Sequence, residues 1–336
     1  MMSEANRCRN AALSLAEAER YIAERITRPP TPANEIQVAV RKAYSSTWTP
    51  SRTATPFTPK YRSRIPLTEI NFDLEKLLAS SQRISQPKSW RHWLWERSPK
   101  RPETQNAFSF LAHLYRDGEH IHVFDKFDGL EGTTPVQTIT ISHPMDCRVP
   151  ASIHAGGRFG LGIWRLSNPV TGEWYDTGEK YEDGTPKFSC RNWQAVTSWR
   201  YAVLESDQAP AHLWLAFVAQ LPIRVSAIYT SGSRSIHVLF RLDASSKAEW
   251  DSQIAPLKRP MKVMGGDAGA LSAVRLTRLP GCWRPEKNGF QKLLYLCPNP
   301  PDVPLADLPI LHTRFESLDR WQNLCPRWNP SREAYQ

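Results

Sequence analysis

Residues 201–207, Tyr-Ala-Val-Leu-Glu-Ser-Asp, and residues 235–241, Ser-Ile-His-Val-Leu-Phe-Arg, decide the fold of the second half of the chain. Both segments contain short apolar runs, which are typical of β-strands. The Ser-Gly-Ser-Arg sequence at 231–234 predicts a turn, so the second segment pairs with the strand predicted at 225–230. Three strands are therefore expected to form one sheet.

Helices are predicted between and after these strands. Residues 211–220 are apolar, and Ser246 with Glu249 forms a capping box at the start of another helix. Further extended segments are predicted at 271–277 and 291–297. This order of elements predicts an α+β fold with a ferredoxin-like βαββαβ unit, in which helices cover one face of the sheet and the other face is open.

Changes in composition predict the domain organisation. Prolines among Ser, Thr, Arg and Lys fill residues 26–66, which offers few apolar anchors for a core. We predict the following segments: a flexible basic arm at 1–66 with one short helix at 11–26, a helical, tryptophan-rich connector at 67–103, a domain at 104–300, and a C-terminal tail at 301–336.

The domain at 104–300 is divided into an N-terminal αβ module, 104–197, and the ferredoxin-like unit, 198–300. The module is predicted to pack against the unit. Its expected elements are a helix at 107–116, extended segments at 120–124, 136–142, 152–154 and 159–166, and a hairpin with a long polar loop at 168–192.

The net charge of +10 is unevenly distributed. Residues 1–102 hold 18 Lys and Arg against 9 Asp and Glu, whereas residues 103–336 are nearly balanced at 25 against 24. Residues 224–292 are also basic, with 12 against 5. A basic surface concentrates polyanions, so nucleic acid or nucleotide phosphate is the expected partner.

The cysteines and the hydropathy pattern narrow the class of protein further. The six cysteines include no CxxC pair and have no close His partner, so no zinc site is expected and reduced thiols in a cytoplasmic protein are predicted. No apolar run reaches the length of a membrane-spanning helix. A membrane partner is therefore not expected.

Carboxylates lie at the end of the strand at 201–207. Side chains alternate along a strand, so Glu205 and Asp207 project from one face, close enough to share a cation. His237 can join them from the hairpin partner, and Asp267 lies in a flexible Gly-Gly-Asp-Ala-Gly loop. Phosphoryl transfer requires carboxylates that bind Mg²⁺ or Mn²⁺, and it requires positively charged side chains that bind the triphosphate. The basic residues that follow are Arg275, Arg278, Arg284, Lys287 and Lys292.

Three motifs in this region resemble those of the archaeo-eukaryotic primase superfamily, which includes primase-polymerases and the primases of plasmids and phages. A hydrophobic strand ending in two acids one residue apart is matched by residues 203–207. The Ser-x-His motif is matched by 235–237, and the Arg-Leu-Pro-Gly segment by 278–281. The acid of the third motif is assigned to Asp267, although Gly266 precedes it where the family has a hydrophobic residue. The resemblance covers about residues 197–297.

The resemblance implies a metal-dependent nucleotidyltransferase that makes or extends a primer. Plasmid or phage replication and a role in repair or defence all fit. Its expected ligands are a single-stranded DNA template, an NTP or dNTP, and two Mg²⁺ or Mn²⁺ ions, with a replicative helicase or initiator as a possible partner. Glu205, Asp207 and Asp267 would bind the metals. The other implied contacts are with the nucleotide: His237 to the phosphates, Ser235 in support, and Arg278 as a cation. Arg234 and Lys287 are added from charge and position alone.

Two other classes of function stay open on the sequence. His120-Ile121-His122 fits the metal-binding motif of the nickases that initiate rolling-circle replication. A ferredoxin-like unit can also bind single-stranded nucleic acid without catalysis, through aromatic and basic side chains on its sheet. Metal-dependent incorporation of nucleotides separates the primase from both alternatives.

Overall fold

The computed structural model describes residues 5, 8–9, 13–24, 34–44, 67, 70–126, 135, 137–142 and 151–313. The chain divides into two compact units, Met1–Glu69 and Ile70–Gln336. Among the described residues, no helix is both long and apolar enough to cross a membrane.

The first unit contains two described helices, α1 (Leu15–Ala23) and α2 (Glu35–Tyr44). Ser14 caps α1, because its hydroxyl accepts from the backbone of Glu17 and the Glu17 carboxylate accepts from the backbone of Ser14. Both helices contribute to one small core that includes Ile22 and Val40. The flexible arm predicted for residues 1–66 is therefore corrected at 35–44, which are helical. Residues 45–66 lie outside the described residues.

The second unit contains the remaining helices and all the described strands. The helices are α3 (Leu74–Ser81), α4 (Trp90–Arg97), α5 (Ala107–Leu114), α6 (Ala151–His154), α7 (Ala211–Val218) and α8 (Lys247–Val263). The strands are β1 (His120–Phe124), β2 (Gln137–Thr140), β3 (Trp164–Leu166), β4 (Tyr175–Lys180), β5 (Pro186–Ser189), β6 (Trp199–Ser206), β7 (Arg224–Thr230), β8 (Ile236–Ala244), β9 (Leu276–Arg278), β10 (Trp283–Arg284), β11 (Gly289–Phe290) and β12 (Leu293–Leu296).

Two antiparallel four-stranded sheets organise this unit. Their strand orders are β12-β7-β8-β6 and β2-β1-β3-β9, and two small hairpins, β4-β5 and β10-β11, accompany them. The predicted mixed α and β class is confirmed. The complete ferredoxin-like arrangement is not, because β12 pairs with β7, whereas in that fold the last strand pairs with the first. We call β12-β7-β8-β6 the main sheet.

Both faces of the main sheet are covered. On one face, Leu204 and Phe240 pack with Trp214 of α7 and Trp250 of α8. On the other, residues such as Tyr201 and Leu239 share a core with α5, β1 and β2. The predicted open face is therefore wrong for most of the sheet. Glu205 and His237 lie at the end where β6 finishes and β8 begins. Because this core spans the predicted boundary near residue 197, the αβ module and the main sheet form one compact unit.

Four segments of this unit differ from the structure predicted for them. Residues 152–154, predicted as extended, lie in α6. Residues 159–163 form an irregular loop in which Gly160 and Gly162 have positive φ. Extended structure predicted at 271–277 is limited to β9. The predicted tail is packed over its first residues, since Leu305 is buried and the amide of Leu311 donates to the carbonyl of Glu96 at 2.7 Å. Residues 314–336 lie outside the described residues.

The edge strand β6 is held by the buried side chain of Asn168. Its Oδ1 accepts from the amides of Arg200 and Tyr201 at 3.0 and 2.7 Å. Its Nδ2 donates to the carbonyls of Tyr201 and Ala273, both at 2.9 Å. One amide side chain therefore ties the start of β6 to the segment that leads into β9.

Candidate active site

Two side-chain pairs meet where β6 ends and β8 begins. Glu205 lies directly opposite His237 in the register, and its Oε2 is 2.9 Å from His237 Nδ1. Ser235 Oγ donates to Asp207 Oδ1 at 2.5 Å. These contacts are consistent with the prediction that the four side chains lie on one side of the sheet. Residues two apart on a strand project from the same face, which applies to Glu205 with Asp207 and to Ser235 with His237.

Asp267 is held beside Glu205 by the backbone. The amide of Asp267 donates to the carbonyl of Glu205 at 2.9 Å, and Ser206 Oγ donates to the carbonyl of Gly265 at 2.5 Å. Gly265 has φ +85°, and a Cβ there would lie 2.9 Å from the ring of Phe72. The loop after α8 is therefore fixed against the end of β6, which places Asp267 beside Glu205.

Arg275 lies between two of the three acids. Its Nη2 contacts Oε1 of Glu205 and is 3.0 Å from Oδ2 of Asp267. Burial lowers the pKa of Arg275, and the charge of Arg191 acts in the same direction. Sequence pattern alone does not predict this bridge, because it marks Arg275 only as one of several basic residues near the site.

His237 is held in a buried polar cluster. Its ring stacks on Tyr229, with centroids 5.6 Å apart and planes 5° apart, and Thr277 Oγ1 is 2.7 Å from the hydroxyl of Tyr229 and 3.3 Å from His237 Nδ1. Burial, and then the charge of Arg278, lowers the pKa of His237 to about 3. The ring is therefore neutral, and Nδ1 donates to the carboxylate of Glu205, which orients that carboxylate.

Arg278 lies on the other side of this cluster. Its Nη1 donates to the carbonyl of Leu161 at 2.7 Å, and its guanidinium lies 3.6 Å from the centroid of the Trp164 ring. Burial and the neighbouring Arg284 lower the pKa of Arg278 to about 9. Two guanidinium groups close together are suited to an anionic ligand such as a phosphate.

Lys287 and Arg234 are the two residues added from charge and position. Lys287 is paired with Glu286 at 2.8 Å, and Arg234 is an exposed residue of the turn before Ser235. None of the contacts described above joins Lys287 or Arg234 to the carboxylates of the candidate site. Their predicted nucleotide contacts stay predictions.

The histidines of the nickase alternative lie on β1, in the other sheet. His120 Nδ1 and His122 Nδ1 each contact a threonine of β2, Thr140 and Thr138, at 2.9 Å. Within the described parts of the chain, no three His, Cys, Asp or Glu side chains are positioned to hold a metal. The two histidines therefore have no third ligand among those residues.

The carboxylate cluster fits a divalent cation by the chemistry of its donors. Glu205, Asp207 and Asp267 supply the oxygen ligands that Mg²⁺ and Mn²⁺ prefer, and the guanidinium of Arg275 already places one positive charge between two of them. The described side chains are not grouped as a complete metal site. A metal ion at Glu205 and Asp267 therefore requires Arg275 to move.

Comparisons with known proteins give little guidance. No family model matches the chain, and no curated protein matches it. A search of solved structures finds the archaeo-eukaryotic primase domain of the primase-polymerase of cyanophage S-2L, with 17% identity and a TM-score of 0.35, covering 59% of this chain and 94% of that chain. A similarity of this size carries no argument about fold or function.

Proposed function

We propose that the chain is a nucleotidyltransferase that extends a nucleic-acid primer on a single-stranded DNA template, using an NTP or dNTP. The observation that carries the proposal is the backbone hydrogen bond that holds Asp267 beside Glu205 at the end of β6. Asp207 follows Glu205 two residues further along the chain and accepts from Ser235. Arg278 and Arg284 lie nearby as cations for the triphosphate. Acids and cations in this proximity support phosphoryl transfer.

The proposed mechanism assigns each group a physical task. Glu205, Asp207 and Asp267 would hold Mg²⁺ or Mn²⁺, which supply Lewis acidity and neutralise the charge that develops on the phosphates. His237 orients Glu205 through its Nδ1, and Thr277 with Tyr229 holds the ring of His237. Arg278 and Arg284 would bind the phosphates. A helicase or initiator partner, implied by the resemblance alone, stays a prediction.

The test is primer extension by the full chain on single-stranded DNA with labelled nucleotides and Mg²⁺ or Mn²⁺. We expect the double change Glu205→Ala and Asp207→Ala to reduce synthesis by about a hundredfold or more, since metal-held charge stabilisation is a large part of such catalysis. The control is Asp243→Ala, which removes a carboxylate near the opposite end of β8 that pairs with Arg224 and Arg241. Synthesis that survives the double change in a folded protein would refute the proposal.

A further inference from the structure

A glycine-rich loop, residues 156–162, runs from α6 to β3 along the edge of the candidate site. Gly156 and Gly157 have φ of +96° and +75°, a region that residues with a Cβ rarely adopt. A Cβ on Gly157 would lie 2.2 Å from Cβ of Asp125, and one on Gly156 would lie 2.7 Å from the carbonyl of Trp283. The loop is therefore fixed between the end of β1 and the β10-β11 hairpin.

Phe159 is the exposed aromatic residue of this loop. Half of its surface, 50%, is exposed. Lys126 Nζ lies 5.7 Å and the Arg158 guanidinium 5.4 Å from the centroid of its ring. Asp125 fixes Arg158 by accepting from its backbone amide at 3.1 Å and from its Nε at 3.0 Å, yet 67% of the Arg158 side chain stays exposed. A solvent-facing ring is thus held beside two cations.

The loop is continuous with the candidate site. The carbonyl of Leu161 accepts from Arg278, and the carbonyl of Gly160 accepts from the amide of Glu286 at 2.9 Å. The β10-β11 hairpin in turn contacts the turn before Ser235, since Arg284 Nη1 donates to the carbonyl of Ser231 at 3.3 Å. Three adjoining segments, 156–162, 283–290 and 231–235, therefore connect Phe159 with the carboxylates.

We propose that this loop is the template-strand site: Phe159 stacks on a base of a single-stranded nucleic acid, and Lys126 and Arg158 contact the flanking phosphates. Exposed aromatic rings among cations bind single strands in this way, because every base has a face for stacking and every linkage carries a charge. The inference rests on the proposed function and adds to it the residues that bind the template strand. The fixed path of the loop gives the ring a defined position.

The test measures binding of fluorescein-labelled single-stranded oligonucleotides to the full chain by anisotropy, in EDTA and without nucleotide, so that catalysis plays no part. Matched DNA and RNA strands identify which nucleic acid is bound. We expect Phe159→Ala to weaken binding at least about fivefold, the loss of one stacked base, and Phe159→Trp to retain it. The matched control is Phe188→Ala, since Phe188 is 49% exposed on β5.

A second measurement tests the cations. We expect Lys126→Gln to reduce the slope of log K against log salt by about 0.7, the value for one phosphate contact on a single strand. Equal binding by wild type and Phe159→Ala, or equal losses in Phe159→Ala and Phe188→Ala, would overturn the inference, and so would wild-type protein that binds neither strand. The Glu205→Ala and Asp207→Ala protein separates the two proposals: it should bind the strand normally but not extend a primer.

Discussion

The backbone amide of Asp267 donates a hydrogen bond to the carbonyl of Glu205 at 2.9 Å. Because this bond joins main-chain atoms, the position of Asp267 beside the end of β6 does not depend on either carboxylate. Arg275 then lies against both side chains. The backbone holds the two acids together, and the guanidinium offsets one of their two negative charges.

We expect Arg275→Ala to strengthen the binding of Mn²⁺ on the order of tenfold, because it removes a positive charge that competes for Glu205 and Asp267. Calorimetric titration without nucleotide measures the affinity. Arg241→Ala is the control, since Arg241 pairs with Asp243 near the other end of β8. Unchanged or weaker Mn²⁺ binding by Arg275→Ala would contradict the competition.

Thr277 and Tyr229 should be energetically coupled. Both are fully buried, and their hydroxyl oxygens are 2.7 Å apart. Thr277→Val or Tyr229→Phe removes one partner of this buried hydrogen bond, which costs roughly 1–3 kcal/mol. The double variant should lose less stability than the sum of the two single variants, as urea unfolding can measure. Strict additivity would show that the hydroxyl contact contributes nothing.

Glu119→Gln should destabilise the second unit strongly. Glu119 makes two contacts with Arg200, at 2.6 and 2.9 Å, and only 3% of the Arg200 side chain is exposed. Removing the carboxylate charge leaves a buried guanidinium uncompensated, which costs roughly 3–5 kcal/mol. Glu179→Gln serves as the comparison, because Glu179 is exposed and 3.8 Å from Lys187; it should cost under about 1 kcal/mol. Similar losses in both variants would contradict this assignment.

His122 should make stability fall in acid. Burial, and then the charge of His120, lowers the pKa of His122 from 6.5 to about 4. The unfolded chain binds the proton first as pH falls, so this contribution is complete above about pH 6.5 and is lost progressively down to about pH 4. At about 1.4 kcal/mol per pKa unit, the loss is at most on the order of 3 kcal/mol.

His122→Gln should therefore flatten the dependence of unfolding free energy on pH between those limits. An unchanged slope would contradict the burial argument. The same variant tests the nickase alternative, because a primase should extend primers normally without this imidazole, whereas a nickase should lose cleavage of single-stranded DNA.

The contacts between β6 and β8 could be predicted, because side chains alternate along each strand and the turn at 231–234 sets where β8 begins. The facing of Glu205 and His237, and of Asp207 and Ser235, needs only the register of two neighbouring strands. The covered second face of the main sheet could not be predicted, since it depends on a core shared with α5 and the other sheet. Local patterns do not report such packing.

Long-range polar contacts were likewise missed. The bridge made by Arg275 depends on a loop path, and the charge alone could not distinguish this residue from Arg278. Helix α2 differs from the prediction for another reason. The proline content of 26–66 predicts an arm, although residues 35–44 contain no proline and place Ile36, Ala39, Val40 and Ala43 in a core. The average composition of 26–66 does not show that the apolar residues within 35–44 recur at helical spacing.

The side chain of Asn168 has a consequence for self-association. β6 lies at the border of its sheet, where exposed amides and carbonyls invite a strand from another molecule. Asn168 already uses both amides and the carbonyl around Tyr201. A strand from a second chain would therefore find these groups of β6 already paired and could not extend the sheet at that point.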